Sequence, residues 1–235
     1  MINKIITDPD GDVHYYKKGD FHSHLGTIKE SDIKPGIVKS HLNKDFIVFN
    51  SSFIDDIHEI KRGPAIAHYK DIGLIITTTG LGVGSMVVDA GSGCGNTASY
   101  FSRIGCNVTS YELKPDFFNL AKSNIENLNL KVNIKNQDIY SGIDEKDLDL
   151  IHLDLLEPWK VIPHAKDSLK SGGFVVCYLP TITQVMEFVK HLDNSFYLWK
   201  VSEVLEREWT VDNLKVRPKN QMLGHTVFLV FVRKI

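Results

Sequence analysis

The 235-residue sequence predicts an α/β fold, in which a mostly parallel sheet is covered by helices on both faces and follows a small β domain. Three observations carry this prediction. From Met86 onward, short apolar runs alternate with segments of helical length, which is typical of a parallel sheet. A glycine-rich stretch, Asp89–Gly95, follows the first of these runs. Before residue 62, short apolar runs are instead separated by turn signals.

The N-terminal segment predicts short strands joined by tight turns. Its turn signals lie at residues 9–12, 18–20, 34–36 and 50–52. Three histidines, His14, His22 and His24, lack cysteine or carboxylate neighbours at ligand spacing, so we expect strand histidines facing solvent and no metal site. The pattern changes near Arg62. We therefore expect a small β domain over residues 1–62 and a larger α/β domain over residues 63–235.

The sequence pattern of the larger domain predicts five strands that alternate with the helices connecting them. Strands are expected at 86–90, 107–112, 131–135, 148–153 and 174–179. Helices are expected at 70–80, 96–104, 115–128, 161–169 and 181–192, with Gly172-Gly173 ending the fourth. Residues 196–211 and 226–232 predict two strands joined by a polar loop. This hairpin would place an antiparallel last strand at the edge of the sheet.

Composition limits the partners and the compartment. Lys and Arg number 27 against 29 Asp and Glu, so a polyanion would need a local basic patch or one assembled between subunits. Three cysteines without CxxC spacing predict free thiols in a reducing cytosol. No apolar run is long enough to span a membrane, and the polar, acidic start does not predict a signal peptide. A cytoplasmic protein is expected.

The stretch Asp89–Gly95 predicts a cofactor loop that opens the first helix of the alternating region. Glycines such as Gly91 and Gly93 let the backbone approach a ligand, and a helix N-terminus offers free N–H groups to negative charge. The methionyl carboxylate of S-adenosylmethionine would use these donors. Asp89 would fix the turn or meet the cofactor amino group. The methionine end would be lined by Cys94, Gly95 and Asn96.

Acidic residues follow the next three strands of the sheet. Glu112 is placed to accept both ribose hydroxyls, and Asp138 to accept the adenine amino group while Ile139 packs on the ring. Asp154 ends the fourth strand. Single acids at strand ends are often helix caps, but four in register with a glycine loop favour the ligand edge of an open sheet. The antiparallel ending suits a Rossmann-like class I methyltransferase sheet better than a dinucleotide dehydrogenase.

The sequence resembles the tRNA (adenine-N1)-methyltransferases that modify adenine 58 of the T-loop. The resemblance covers residues from about 60 to the end, while the first sixty match only as a small β domain. The glycine loop is shared by methyltransferases at large. The two motifs that follow it in the chain, Leu153–Trp159 and Tyr178–Gln184, are found in far fewer methyltransferases. The motifs are Asp89–Gly95, Leu153–Trp159, Tyr178–Gln184 and Gly224–Thr226, with Arg62-Gly63-Pro64 and Tyr69-Lys70-Asp71 before them.

The resemblance implies a site, a substrate and an assembly. It implies that His68 lies beside the target adenine, and that Asp154 contacts both cofactor and base. Phe117 departs from the arginine often found at its position, so only ring packing is expected there. A tRNA substrate and a homotetramer are also implied. The implied cofactor contacts are Ala67, Cys94, Gly95, Asn96, Glu112, Phe117, Asp138, Ile139 and Asp154.

The expected chemistry follows from adenine itself. N1 already carries an in-plane lone pair, so no proton need leave beforehand, but the product ring becomes cationic. A carboxylate on the exocyclic amino group stabilises that charge, and Asp154 is the candidate. His68 would stack on or hydrogen-bond the adenine, which must leave its stack to reach the pocket.

Several further residues have both a packing and a functional interpretation. Pro158 and Trp159 either pack the loop after the fourth strand or wall the adenine pocket, and Gln184 either lies at the ligand edge with Tyr178 or caps a helix. A structural hydrogen bond is favoured for His225. A tRNA groove is predicted along Arg207, Lys215, Arg217 and Lys219, or else on the N-terminal domain near Lys17, Lys18, Lys34 and Lys39.

Three other functions compete with tRNA methylation at adenine 58, with or without adenine 57. A methyltransferase of a small molecule or of another RNA would share the fold. A catalytically inactive partner subunit is disfavoured, because the glycine loop and Asp154 are both intact. A nicotinamide dehydrogenase would share only the glycine loop.

Overall fold

A computed structural model describes residues 2–63 and 65–235 of the chain. The chain divides into two compact units, Met1–Lys61 and Arg62–Ile235. Pro64, the end of the Arg62-Gly63-Pro64 motif, lies outside the described residues. Over these two ranges, no helix is long and apolar enough to cross a membrane.

The first unit is a small β structure. A four-stranded antiparallel sheet has the order β2-β1-β6-β5, and β3 pairs with β4 in a separate hairpin. Residues Ile6, Phe46 and Val48 form the centre of its core. The elements are β1 (Lys4–Thr7), β2 (Val13–Tyr16), β3 (Phe21–Ser23), β4 (Gly26–Ile28), β5 (Gly36–Lys39), β6 (Asp45–Asn50) and α1 (Phe53–His58).

The second unit alternates helix and strand as predicted. Short 3-10 turns lie at Ile139–Ser141 and Pro158–Val161. The helices are α2 (Tyr69–Thr79), α3 (Asn96–Arg103), α4 (Pro115–Asn127), α5 (Ile162–Ser168) and α6 (Ile182–Lys190). The strands are β7 (Met86–Ala90), β8 (Asn107–Tyr111), β9 (Val132–Lys135), β10 (Leu148–Leu153), β11 (Leu169–Leu179), β12 (Phe196–Ser202), β13 (Trp209–Asp212), β14 (Lys215–Pro218) and β15 (Phe228–Lys234).

Seven of these strands form one mixed sheet with the order β12-β15-β11-β10-β7-β8-β9. The strands from β11 to β9 are parallel, and β15 is antiparallel to both of its neighbours. Along β10, Leu150 packs in one core and Ile151 in the other, because successive side chains point to opposite faces. The predicted α/β fold, with its antiparallel last strand and small N-terminal β region, is confirmed.

The role predicted for Gly172-Gly173 is wrong. The helix α5 already ends at Ser168, and β11 begins at Leu169, so both glycines lie inside the strand. The pairing of β10 with β11 shifts register there, and a Cβ on Gly173 would lie 2.8 Å from the carbonyl oxygen of Leu148. The glycines allow this irregularity in the strand and do not end a helix.

The C-terminal segment also differs from the prediction. The strand expected at 196–211 stops at Ser202, and a separate hairpin, β13–β14, spans the end of that expected strand and the first part of the expected polar loop. The last strand, β15, lies between β11 and β12, so β12 forms the edge. The burial patterns explain this order. Residues Leu229–Val232 are buried as a continuous apolar run, whereas β12 alternates buried or half-buried with exposed positions.

Candidate active site

The glycine loop lies between the end of β7 and the start of α3. Gly91, Gly93 and Gly95 all have positive φ angles, which glycine adopts without steric cost. At Gly91 there is also no room for a side chain, because a Cβ would lie 2.2 Å from the carbonyl oxygen of Asp154. The loop after β7 is therefore held directly against the loop after β10.

The helix α4 supports the other end of the glycine loop. The side-chain amide of Asn124 donates to the carbonyl oxygen of Cys94 at 2.9 Å. A Cβ on Gly95 would lie 3.1 Å from Ile125 and 3.3 Å from Ala121, so only glycine lets the loop pack this closely. These contacts with α4 fix the backbone of residues 94–95 before any ligand binds.

Glu112 was predicted as the last residue of its strand; it lies directly after β8, which ends at Tyr111, and is buried beside the glycine loop. One carboxylate oxygen accepts from the Gly93 amide at 3.0 Å, and the other from the Lys114 amide at 2.9 Å. Each oxygen of an ionised carboxylate has a second lone pair. Glu112 can therefore keep both backbone bonds and still accept hydrogen bonds from a diol.

Asp138 and Ile139 begin the 3-10 turn that follows β9. One oxygen of Asp138 accepts from the Tyr140 amide at 2.9 Å, so this acid does cap a helical turn. Its second oxygen is not used in that bond. Ile139 packs inside the hydrophobic core. Phe117, on α4, is half-buried and lies beside Gly63, where an added Cβ would be 3.6 Å from its ring.

Asp154 follows β10 and lies beside the glycine loop. Its amide donates to the carbonyl oxygen of Ala90 at 2.9 Å. The residue is exposed, and neighbouring protein atoms partly desolvate its carboxylate. The resulting desolvation raises the pKa of Asp154 to about 6; His152 opposes this shift and Asp89 adds to it.

Asp89 lies beneath Asp154 and is bound within the sheet. One carboxylate oxygen lies 2.7 Å from Nδ1 of His152, and the other accepts from the Ser110 hydroxyl at 2.6 Å. These contacts fit the turn-fixing role predicted for Asp89 better than a contact with the cofactor amino group. His152 was not among the predicted site residues. The available signal was a histidine in an apolar strand, two residues before Asp154.

The segment before α2 crosses the strand ends. The carbonyl oxygen of Ala67 accepts from the Asn96 side chain at 3.0 Å. The amide of His68 donates to the Tyr178 hydroxyl at 3.3 Å, and the His68 residue itself is exposed. Because Leu153 pairs with Cys177, Asp154 and Tyr178 follow at neighbouring strand ends. The structure thus brings Ala67 and His68 to the edge that carries Asp154 and the glycine loop.

A buried polar network lies beneath His68 and joins three of the motifs. Lys70 forms a 2.8 Å ion pair with Asp71 and donates to the Thr226 hydroxyl at 2.6 Å. Asp71 also accepts from Thr226 at 2.8 Å and from Tyr178 at 3.3 Å. Desolvation raises the pKa of Tyr178, so this residue is a neutral donor. The sequence analysis named these motifs but did not connect them.

The loop after β10 is fixed from two sides. The Gln184 side chain donates to the carbonyl oxygen of Leu156 at 3.3 Å, and the Glu157 amide donates to the Tyr140 hydroxyl at 3.2 Å. Trp159 packs against the core and stacks on His191, with ring centroids 5.8 Å apart. These contacts fit the packing interpretation of Trp159.

His225 makes structural hydrogen bonds, as predicted. Its ring nitrogens lie 2.9 Å from a Glu203 carboxylate oxygen and 3.1 Å from the carbonyl oxygen of Pro180. The bond to Glu203 and then the bond to Pro180 raise the pKa of His225, since both stabilise its protonated form. His225 therefore ties the segment before β15 to the end of β11.

The sheet order, the antiparallel β15 and the glycine loop after β7 define the class of S-adenosylmethionine-dependent methyltransferases. Comparison with known proteins identifies the family within this class. A family model described as "tRNA methyltransferase complex GCD14 subunit" matches residues 60–225. The chain belongs to this family of tRNA (adenine-N1)-methyltransferases.

Two relatives support this assignment over nearly their whole length. The chain is 32% identical to "tRNA (adenine(57)-N(1)/adenine(58)-N(1))-methyltransferase TrmI" of Methanocaldococcus jannaschii, covering 98% of this chain and 94% of the relative. It is 33% identical to "tRNA (adenine(58)-N(1))-methyltransferase TrmI" of Thermus thermophilus, covering 92% and 89% respectively.

Two solved structures share the whole fold. A Thermotoga maritima protein described as a SAM-dependent O-methyltransferase superposes with a TM-score of 0.88 at 30% identity, covering 100% of this chain and 93% of that one. The tRNA (m1A58) methyltransferase TrmI of Aquifex aeolicus gives a TM-score of 0.85 at 26% identity, covering 99% and 96%.

Proposed function

We propose that the protein transfers a methyl group from S-adenosylmethionine to N1 of adenine 58 in the T-loop of tRNA, with adenine 57 as a further candidate target. The observation that carries this proposal is the close contact between Gly91 and Asp154. This contact holds the backbone of Asp154, the residue that we propose to be catalytic, against the glycine loop. A tRNA substrate would place this activity in the cytoplasm, and residues 63–235 would form the methyltransferase domain.

The cofactor loop fits the methionine end of S-adenosylmethionine. The side-chain oxygen of Asn96 is buried and has no hydrogen-bond partner among the described residues. A buried acceptor without a donor costs free energy, and a ligand ammonium group would satisfy it. Cys94 and Gly95 would line the same end. Glu112 would take the ribose hydroxyls.

The free oxygen of Asp138 would receive the adenine amino group of the cofactor. Asp138 lies at the carboxyl edge of the sheet with the other acids, where ligands bind in open α/β folds. Ile139 and Phe117 would supply apolar contacts to the bound nucleoside. Ala67, tied to Asn96, would close the site from the side of α2.

Bound S-adenosylmethionine supplies an electrophilic methyl group. Asp154 would accept a hydrogen bond from the N6 amino group of the target adenine and would stabilise the positive charge that the ring gains. With a pKa near 6, Asp154 is mostly ionised at neutral pH, as this role requires. His68 would stack on the extruded base.

The hairpin β13–β14 supports a homo-oligomer, which we propose to be a tetramer. Val211 pairs with Val216, and Trp209 lies on the same face two residues earlier. These side chains are 74%, 57% and 55% exposed, an unusual apolar surface for an isolated chain. A second copy of the chain would cover this face.

The opposite face of the hairpin carries Lys215 and Arg217, paired with Asp212 and Thr210. With Arg207, these residues would line a groove for tRNA. Lys219 is the weakest member of this set, because it forms an ion pair with Glu208. The alternative surface on the N-terminal unit is weaker still.

In that N-terminal alternative, Lys17 pairs with Glu59 and Lys39 pairs with Asp45. Ion pairs of this kind reduce the positive charge that phosphates would meet. Of these four lysines, Lys18 and Lys34 have no ion pair in the part of the chain that the structure describes, and they would contribute their full charge to an RNA surface there.

A small-molecule methyltransferase is the second candidate, favoured by the Thermotoga maritima relative described as an O-methyltransferase. Transfer from radiolabelled S-adenosylmethionine to bulk tRNA, compared with transfer to a small-molecule extract of the same cells, separates the two. We expect label in tRNA. Label in the small-molecule fraction alone would overturn the proposal.

A further inference from the structure

His152 lies in the sheet directly beneath the candidate catalytic carboxylate. It lies on β10, two residues before Asp154, and its side chain is on the face covered by α2 and α3, where its ring packs against Phe101. His152 and Asp89 are each 1% exposed, and Nδ1 of His152 lies 2.7 Å from the Asp89 carboxylate. This buried pair is not explained by the binding roles proposed above.

The second ring nitrogen of His152 has no apparent structural use. Nε2 is buried without a hydrogen-bond partner among the described residues. The ring packs edge-on against Phe101 and Tyr178, with centroid distances of 5.9 and 6.3 Å. An asparagine amide could also donate to Asp89, but it cannot take up a proton. An imidazole adds the ability to carry a positive charge.

Two carboxylates near His152 create a need for that charge. Asp89 on β7 pairs in register with His152, and Asp154 directly follows the end of β10, two residues after His152. Nearby carboxylates disfavour each other's ionisation. The proposed methyl transfer requires Asp154 to be ionised, so the charge of Asp89 must be offset.

We propose, on the basis of the function proposed above, that His152 is a positioning residue that carries a buried positive charge. This charge neutralises Asp89 and keeps Asp154 ionised beneath the target adenine. The imidazolium contacts neither the base nor the cofactor and acts only through Asp154. The opposing effect of His152 on the pKa of Asp154 agrees with this assignment.

The other polar groups facing this pair do not replace the charge. From β8, Ser110 is a neutral donor to Asp89. From β11, Tyr178 is held neutral by desolvation, which raises its pKa. From α2, the positive charge of Lys70 is already paired with Asp71 at 2.8 Å. The packed residue from α3 is Phe101, which is apolar.

The direct test is a pH titration of Asp154 by 13C NMR, in the full-length protein without RNA. Carboxyl-labelled aspartate gives the signals, and Asp154→Asn assigns the relevant one. In His152→Asn, which keeps a donor for Asp89 but cannot be protonated, the midpoint should rise by about one unit. In Asp89→Asn the midpoint should fall. In the control His191→Asn, at the exposed position that follows α6, the midpoint should not move.

Unchanged Asp154 midpoints in both folded variants would overturn the proposal, as would shifts in the same direction. A circular dichroism spectrum at each pH checks folding. If His152→Asn does not fold, His152→Gln replaces it, because glutamine also keeps a donor and cannot be protonated, and the Asp154 midpoint should rise in the same way. These readouts need no substrate, so they can fail while tRNA methylation stands, and the reverse is also true.

Turnover provides the second arm of the test. With tRNA, His152→Asn should lose about fivefold in kcat at pH 6 relative to the wild type, and should recover most of it at pH 8.5, because only the ionised fraction of Asp154 changes. A loss of the same size at every pH would indicate a purely structural role and would overturn the proposal.

Discussion

The backbone amide of Gly93 donates a 3.0 Å hydrogen bond to the carboxylate of Glu112, and this bond joins the glycine loop to the end of β8. The residue proposed to bind the ribose therefore also holds the loop proposed to bind the methionine end. The two halves of the cofactor site are organised together before a ligand enters, which lowers the cost of binding.

Replacing Glu112 by alanine should weaken S-adenosylmethionine binding by about 100-fold or more. The change removes the charged acceptor of two hydrogen bonds that the ribose hydroxyls would donate, and it releases the Gly93 amide. Isothermal titration calorimetry measures the dissociation constant. Glu126→Ala, at an exposed position of α4, is the matched control and should bind as the wild type does. Equal affinities in the two variants would show that Glu112 does not hold the cofactor.

Gly91→Ala should disrupt the site, whereas Gly84→Ala should not. The two glycines have nearly the same φ, +87° and +86°, so the backbone strain of a side chain is matched. Only at Gly91 does a Cβ meet another atom, the Asp154 carbonyl oxygen at 2.2 Å; at Gly84 nothing lies within 4 Å. Cofactor binding and melting temperature measure the outcome. The contact would be unimportant if both variants lost affinity equally.

Asp154→Asn should reduce kcat by about 100- to 1,000-fold, because an amide cannot supply the negative charge that the product ring needs. Single-turnover rates with saturating cofactor and tRNA measure this. Binding of S-adenosylmethionine should change much less. A variant with near wild-type turnover would remove Asp154 from the mechanism.

The same substitution should raise the melting temperature at pH 8. The folded-state pKa of Asp154 is raised to about 6 from an ordinary value of 3.8, so its ionisation is less favourable in the folded protein. Ionisation of Asp154 therefore lowers the stability of the folded protein. This loss is absent below pH 4 and develops as the pH rises towards 6 and beyond. The difference between Asp154→Asn and the wild type should therefore vanish near pH 4. A difference that is independent of pH would contradict this account.

Periodicity and motif position predicted much of this arrangement. Strands β7 and β10 were predicted with their observed bounds, because each is a short apolar run bounded by polar or turn-forming residues, a pattern that indicates a buried strand. The glycine loop and Glu112 were predicted from their positions after strands. These features depend on local sequence alone.

Features that depend on tertiary partners were not predictable in this way. Nothing local distinguishes the Gly172-Gly173 irregularity from a helix end. The pairing of Asp89 with His152 joins residues 63 positions apart, and Asp71 and Thr226 are 155 apart. Only the fold brings such polar groups into one buried network.

The network beneath His68 should behave as a buried ion pair. Lys70→Met leaves Asp71 buried and without its cation, so we expect a loss of about 3–5 kcal/mol in the free energy of unfolding. Lys70→Met combined with Asp71→Leu should lose less than the sum of the single changes, since no uncompensated charge remains. Urea denaturation measures all three. Additive losses would mean that the two side chains do not interact.

The hairpin β13–β14 should control assembly. Light scattering should give four times the 26.6 kDa mass of the chain, and Val211→Asp should reduce it by placing charge on the apolar face. Thr210→Asp, on the other face, is the control and should leave the mass unchanged. A monomeric wild type would contradict the proposed tetramer.

The basic residues of this region should control tRNA affinity. Changing Arg207, Lys215, Arg217 and Lys219 to alanine should weaken binding, and should reduce the dependence of log Kd on log salt by about 0.9 for each lost phosphate contact. The same change at Lys17, Lys18, Lys34 and Lys39 is the comparison. If only the second set weakens binding, the RNA lies on the N-terminal unit.

The central claim is that the protein methylates N1 of adenine 58. The most direct measurement is mass spectrometry of nucleosides and of nuclease fragments from an unmodified tRNA transcript, incubated with the protein and S-adenosylmethionine. We predict one N1-methyladenosine in the T-loop fragment, mapped to position 58, and none when position 58 is changed to uridine or when the enzyme is Asp154→Asn. Methylation confined to another nucleoside or another position, or no methylation of tRNA by a folded and cofactor-binding protein, would contradict the account.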